Sequence, residues 1–463
     1  MAFNTFSYLL FLPVIFLLFL ICTDRLRWLL LLVTSFIFYA FLLKPLLLFV
    51  LLAVIVISFF FGMHIEKAIT SAERKKFLWF GISGNLFLLV LMKYLPFTSS
   101  RIIAIGVSFY VFQAISYLAD IYLNMAKAET HFGYFALYLS FFPKLLQGPI
   151  ERAGNLLPQL KAKYAFDYAN FRFGLLLFAW GLFKKVVIAD RLGVYVDIVY
   201  NNVHAFTGLP LLLSTWAYAF QMYMDFSGYT DMALGSARLF NINLTQNFNN
   251  PYMATSVADF WRRWHISLSR WIFDYVFEPL QMTFRSYGKW GTTCSLLATF
   301  LVCGIWHGAS WCFVFWGLIY GIYLSCSVFY RPFQKKLYAA LGIEKARFLK
   351  YWRIFVTFNL ISFAFVFFRS NTLGDAFYLI THMFTGKKNL QPAFAFSQGK
   401  YELGFLFMAA LIYVCICVLR KNYDFLSFLK LSPFKKCLAV YSFMTIILIL
   451  GKFHHTNFMY FKF

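Results

Sequence analysis

The sequence predicts an all-α polytopic membrane protein, and three observations carry that prediction. The 463-residue chain is 61% hydrophobic and only 13% charged, with a mean hydropathy of +0.69, which excludes a globular domain with a polar surface. Apolar runs long enough to cross a hydrocarbon core, which takes about 20 helical residues, recur along its length. The basic residues gather between those runs.

The runs begin near Phe6, Trp28, Leu46, Phe77, Ile102, Phe171, Leu209, Ser295, Phe355, Leu403 and Leu438, so roughly eleven or twelve crossings are expected. No Lys or Arg precedes the first run and no small-residue cleavage site follows it, so it is expected to stay as the first membrane helix. Subtracting 18 acidic from 42 basic residues leaves +24. The excess lies at Arg25 and Arg27, Lys67 to Lys76, Arg331 to Arg353, and Arg420 to Lys436. Such loops belong on the cytoplasmic side, which places the N-terminus outside, and with it the tail "GKFHHTNFMYFKF". The same charge suits contact with anionic lipids. Because whole membrane helices separate the clusters, no nucleic-acid partner is expected.

Eight cysteines (Cys22, Cys294, Cys303, Cys312, Cys326, Cys415, Cys417, Cys437) are scattered, mostly inside apolar runs, with no CxxC and no His at metal-ligand spacing. They read as small buried hydrophobes, with neither a disulfide framework nor a metal site. Nothing repeats at a fixed period and no Gly/Ser- or Pro-rich linker intervenes, which predicts one membrane domain over 1–463. Within it, 1–122 form N-terminal helices, 141–330 the catalytic core and 331–463 the C-terminal helices.

The core is placed by charge at membrane depth. From Phe141 onward, polar residues enter membrane-length segments: "FFPKLLQGPIERAGNLLPQL" (Phe141 to Leu160), "WGLFKKVVIADRL" (Trp180 to Leu192), "FQMYMDFSGYTDMALG" (Phe220 to Gly235), "ADFWRRWHISLSRW" (Ala258 to Trp271) and "CGIWHGASW" (Cys303 to Trp311). Charges at that depth are costly and usually face a cavity or each other.

"ADFWRRWHISLSRW" has the start signals of a helix: Pro251 blocks an earlier start, and Ser256 with Asp259 resembles a capping box. At about 100° per residue, Trp261, Trp264, His265, Leu268 and Ile272 share one side. Asp259, Arg263, Arg270 and Asp274 line the other, where Asp259–Arg263 and Arg270–Asp274 are i,i+4 pairs. Such a helix can lie in the membrane interface, with Trp anchoring and Arg snorkelling. It can instead turn His265 into a cavity, and an imidazole on the buried side favours the second reading.

From Ser295 to Tyr330 there is no Lys, Arg, Asp or Glu, and the only imidazole is His307. A straight helix there would be roughly 54 Å long, against a hydrocarbon core of about 30 Å. A break is therefore expected at "GIWHGAS", where Gly304 and Gly308 flank His307. A histidine at a break can satisfy a freed carbonyl or line a cavity. A neutral imidazole that lines one can take a proton from a hydroxyl near neutral pH. "DFSGYTD" (Asp225 to Asp231) reads as a polar turn after the run from Leu209, either an ordinary Asx-type turn or a wall of the same cavity.

Taken with "GVSFYVFQAISYLADIY" (Gly106 to Tyr122), "NFNNPYMATSVADFWRRWHISLSRWIFDYVFEPL" (Asn247 to Leu280) and "SFAFVFFRSNTLGDAF" (Ser362 to Phe377), these motifs resemble the membrane-bound O-acyltransferase (MBOAT) family. They are most similar to its alginate and peptidoglycan O-acetyltransferase (AlgI/PatA-like) branch, and more distantly to the D-alanyl transfer proteins (DltB-like). The resemblance runs from about Gly106 to "FMYFKF". It implies a ring of tilted helices around a thinned centre, with re-entrant and interfacial helices, in the bacterial cytoplasmic (inner) membrane. It implies that His307 matches the family's essential histidine and His265 its second one. It further implies transfer of an acyl group, most simply acetyl from cytoplasmic acetyl-CoA, to hydroxyls of an extracytoplasmic polysaccharide, directly or through a periplasmic SGNH-type partner. No tightly bound cofactor or metal is expected, because a thioester is already activated.

The candidate substrate-binding residues are Trp261, Arg262, Arg263, Asp225, Ser227, Asp231, Trp306 and Asn250, with Lys184 and Lys185 as further candidates for donor phosphates. After "DYVFEPL" the alginate branch usually continues with a Gly-Gly-Asn-Arg turn, whereas this chain reads "QMTFRSYGKWG" (Gln281 to Gly291). A D-alanyl transferase would share the architecture and differ in donor. A proton-coupled transporter or flippase would also use two buried histidines, and the inverted repeats that would favour it are absent from the sequence.

Overall fold

In lipid a backbone must satisfy its own amides, and a chain this apolar does so by forming helices. The computed structural model describes residues 2–41, 45–94, 106–344, 346–386 and 433–453. Among the described residues there is no strand. Five helices lead: α1 (Phe6–Ile21), α2 (Asp24–Ala40), α3 (Pro45–Lys67), α4 (Ser71–Tyr94) and α5 (Val107–Tyr122). α5 starts at Gly106, whose φ of 79° is open to glycine, and a Cβ there would stand 2.6 Å from the Leu145 carbonyl oxygen.

The chain then breaks into pieces too short to span. α6 (Phe132–Ser140) and α8 (Ala153–Lys161) have nine residues each, with α7 (Phe142–Leu145) between them. Nine residues rise about 14 Å, half of the hydrocarbon thickness. Longer helical stretches return with α9 (Tyr168–Leu182), which continues through a π-wound stretch from Phe183 to Ala189 into α10 (Asp190–Asn201), and with the 31-residue α11 (Leu209–Leu239). A second short set follows, α12 (Val257–Trp261), α13 (Ile266–Ile272) and α14 (Glu278–Thr283). Beyond it come α15 (Gly288–His307), α16 (Trp311–Ala340), α17 (Arg347–Arg369), α18 (Leu373–His382) and α19 (Pro433–Leu450).

Four of these helices, α3, α4, α16 and α17, are long and apolar enough to cross a membrane, which makes this a multi-pass membrane protein. The expected runs from Phe6, Trp28, Phe171, Leu209 and Ser295 are helices as well, shorter or more polar than these four. α1 and α9 are short, while α11 and α15 mix Gly, Ser, Thr and charged residues into their apolar faces. The expected crossing from Leu403, the cluster from Arg420, Cys415, Cys417 and the tail from His454 lie outside the described residues.

α9 and α11 run antiparallel with glycines at the contact. A Cβ at Gly174 would stand 2.7 Å from the Gly235 carbonyl oxygen, and one at Gly228 would stand 2.8 Å from that of Gly181. Small residues let backbones approach this closely where lipid offers no hydrophobic drive. Beyond the seam, Lys184 Nζ meets Asp231 at 2.7 Å and Ser227 Oγ at 3.0 Å, and Lys185 Nζ meets Asp225 at 2.7 Å and Asp190 at 2.8 Å. "DFSGYTD" is therefore not a turn. It is the middle of α11, where ion pairs with the π-wound stretch satisfy its polar side chains and leave the helical ladder intact.

Two buried apolar clusters meet along α11. One gathers α1 to α9 around Phe3, Tyr8, Phe38 and Tyr229, and the other gathers α10, α12 and α16 to α18 around Tyr218, Trp316, Tyr320 and Phe365.

Candidate active site

His307 is the last residue of α15, as the glycines around it suggest. The chain reverses through Gly308 to Ser310, whose side chain caps α16 by accepting from the Cys312 amide at 3.3 Å. Gly304 and Gly317 keep the two arms of this hairpin in backbone contact. The His307 ring is buried among Trp306 (4.4 Å between centroids), Trp316 (4.8 Å) and Phe368 of α17 (4.9 Å).

His265 comes from the second set of short helices. One continuous helix was expected through "ADFWRRWHISLSRW", and the structure corrects this: α12 stops at Trp261, and His265 adopts φ 42°, ψ 55° before α13 begins. The break is imposed from outside the segment. The buried Asn247 accepts the Ile266 amide on its carbonyl (2.9 Å) and the Ser267 amide on Oδ1 (3.1 Å), so these donors turn away from the preceding turn. The expected face survives: Trp264, His265 and Leu268 are buried, and Trp261 and Ile272 are half-buried. The capping box also forms. Ser256 Oγ accepts the Asp259 amide at 3.2 Å and the Asp259 carboxylate accepts the Thr255 amide at 3.1 Å.

The two histidines, read from separate motifs, are both buried and both reach α5, His265 beside Phe109 and His307 through Trp306, which lies against Phe112. His265 packs edge-on against Phe226 of α11 (4.7 Å) and beside Phe109 of α5 (6.0 Å). An aromatic chain joins the segments: Trp306 lies 5.4 Å from Phe112, which stacks on Trp271 at 4.2 Å while its carbonyl accepts from Trp271 Nε1 at 2.8 Å. Trp261 sits among Phe300, Trp316 and Tyr320 and so reaches the same wall of His307. Two imidazoles buried among aromatic rings can accept, hold and deliver a proton, or polarise a carbonyl, with less screening than in water.

The other candidates divide. Arg263 pairs with Asp259 at 3.0 Å, and Arg262 is exposed. Burial opposes ionisation of Asp259, yet Arg263, the Thr255 amide and Arg262 hold its carboxyl below the usual carboxylate range. Asn250 is exposed in a left-handed turn (φ 45°) ahead of Pro251. Asp225 and Ser227 flank Phe226, the α11 residue that touches His265, and with Asp231 they face Lys184 and Lys185 instead. The charges of those lysines are already answered by carboxylates. The expected Arg270–Asp274 pair is also corrected, since Asp274 bonds Arg152 at 2.7 Å, because the π-wound turn after α13 carries it toward α8.

Comparison with known proteins bears on what this arrangement does. The family model described as "MBOAT, membrane-bound O-acyltransferase family" matches residues 123–368. The chain belongs to the membrane-bound O-acyltransferase family. It is 34% identical to a peptidoglycan O-acetyltransferase of Helicobacter pylori over 71% of this chain and 68% of that one. It is 33% identical to a probable alginate O-acetylase AlgI of Pseudomonas aeruginosa over 82% and 74%. To a teichoic acid D-alanyltransferase of Bacillus subtilis it is 27% identical over 57% and 68%. As a member of the family it is an enzyme, an acyltransferase.

Sequence reasoning missed Asn247 and Lys93. Asn247 stands first in the quoted "NFNNP" motif, where two more asparagines hid it. Lys93 ends the apolar run "FLLVLM", and a lone cation there was the available signal.

Proposed function

We propose that this MBOAT enzyme is an O-acetyltransferase that carries acetyl from cytoplasmic acetyl-CoA to hydroxyls of an extracytoplasmic polysaccharide, peptidoglycan or an exopolysaccharide. It acts directly or through a periplasmic SGNH-type partner, with the whole chain, 1–463, working as one unit in a bacterial inner membrane. The observation that carries the reading is the burial of His265 and His307, from two separate segments, among aromatic rings linked through Phe109 and Phe112 of α5 and Trp306. His307 takes the proton of the acceptor hydroxyl, or briefly carries the acyl group, while His265 donates to and orients the thioester carbonyl. The C–S bond breaks as the C–O bond forms, and the proton passes to the leaving thiolate. Trp261 and Trp306 shape the wall of His307. Exposed Arg262 is the candidate for donor phosphate.

The test is the ester-linked acyl content of envelope polysaccharide, released by mild alkali and read by mass spectrometry. It compares a deletion strain with the same strain carrying wild type or His307→Ala at equal expression. Acetate that vanishes on deletion and returns only with wild type supports the reading, and the fraction that regains it names the acceptor. Unchanged acetate throughout, or full rescue by His307→Ala, sinks it and raises a transport function.

A further inference from the structure

α4 has no charged residue from Phe77 to Met92 and then ends on Lys93 and Tyr94. Both side chains reach the same place. Lys93 Nζ donates to the carbonyl of Trp306, and the Tyr94 hydroxyl donates to that of Ile305. These are among the last carbonyls of α15, which carry the negative end of the helix dipole; that of Ile305 also accepts the Gly308 amide at 3.2 Å. The ammonium also lies 5.1 Å from the centre of the Trp306 ring, whose own centre is 4.4 Å from that of His307. Its charge is felt at His307 and at Cys303, one turn earlier. Packing alone does not ask for a lysine here: α4 is uncharged from Phe77 to Met92, and a cation at the end of such a run is costly. A cap alone does not ask for one either, because a neutral donor could serve a single carbonyl.

We propose that Lys93 is a positioning residue for acyl transfer: its side chain fixes the carbonyl end of α15, and with it the Trp306–His307 pair, and sets a positive charge beside that pair, where the acyl carbonyl oxygen would become an anion. The role rests on the acyl-transfer reading above. Acting through Trp306 and His307, the lysine makes attack cheaper without binding the donor, since charge placed in advance costs no reorganisation during the reaction.

Three substitutions separate charge from cap. Lys93→Arg keeps both, Lys93→Gln keeps a hydrogen-bond donor and loses the charge, and Lys93→Met loses both. Membranes carrying the full chain at matched levels receive labelled acetyl-CoA over a range of concentrations, and alkali-labile label on envelope polysaccharide is counted. Lys93→Gln and Lys93→Met are expected to lower kcat by roughly 100-fold with KM within about threefold, while Lys93→Arg stays within about tenfold of wild type. Wild-type kcat in Lys93→Gln overturns the role of the charge, and so does an equal loss in all three variants together with a fall in folded protein. If wild-type membranes transfer no label, the acyl-transfer reading itself fails and this role with it. Label from wild type, none from His307→Ala and an unchanged Lys93→Met would refute the lysine's role alone.

Discussion

His265 holds a left-handed backbone that costs a residue with a Cβ about 1–2 kcal/mol, and the hydrogen bonds from Ile266 and Ser267 to Asn247 offset that cost. Asparagine tolerates the same backbone better than other non-glycine residues, so His265→Asn removes the imidazole with little change in fold. Acyl transfer by that variant is expected to fall by about 10²- to 10⁴-fold while its thermal midpoint in detergent stays within a few degrees of wild type; retained transfer would remove His265 from the chemistry. Asn247→Ala does the reverse. It strands the Ser267 amide and should cost about 1–3 kcal/mol of stability, read as a lower midpoint for size-exclusion-resolved monodisperse protein. An unchanged midpoint would mean that the turn does not depend on this side chain.

The α9–α11 seam depends on glycine at both backbones, and it sets the register of the lysines that follow. Gly228→Leu should force the helices apart, separate Lys184 from Asp231 and Lys185 from Asp225, and sharply reduce folded protein recovered from membranes. Gly154→Leu is the matched control, because a Cβ there meets nothing within 4 Å. Equal recovery of the two would show that the seam tolerates side chains. Asp225→Asn leaves Lys185 with Asp190 as its remaining carboxylate in this set, so the loss is expected to be about 1–3 kcal/mol, read as a lower thermal midpoint in detergent, and an unchanged midpoint would show that the Asp225 arm contributes nothing. The same seam explains one misreading of the sequence. "DFSGYTD" has turn chemistry, and only partners from the π-wound stretch keep it helical, so no local signal could reveal the helix. The face of "WRRWHISLS" was legible because burial follows helical spacing over single turns. The break at His265 was not, since Asn247 enforces it from another segment.

For the molecule as a whole, charge asymmetry sets orientation. The expectation that puts the N-terminus outside also puts the end of α16 in the cytoplasm. A single cysteine at Lys336 in an otherwise cysteine-free chain should then react with an impermeant maleimide in inverted vesicles and not in intact cells; the opposite pattern would reverse the orientation. Most helices, the reversal at His307 and the candidate histidines could be read from the chain, because apolar length, paired glycines and buried imidazoles are local signals. Which charges meet could not: Asp274 found Arg152, and Lys93 found Trp306, through tertiary geometry. The hold of Asn247 on the His265 turn also bears on protein engineering. A chimera that exchanges α12 and α13 alone between relatives would receive a His265 turn whose leading amides must find acceptors in a foreign scaffold. The heritable unit begins earlier, at Thr245, which Glu151 anchors through the Thr245 amide and hydroxyl, and it runs on to Ile272. Acceptor preference should move between family members only when that whole stretch moves with it.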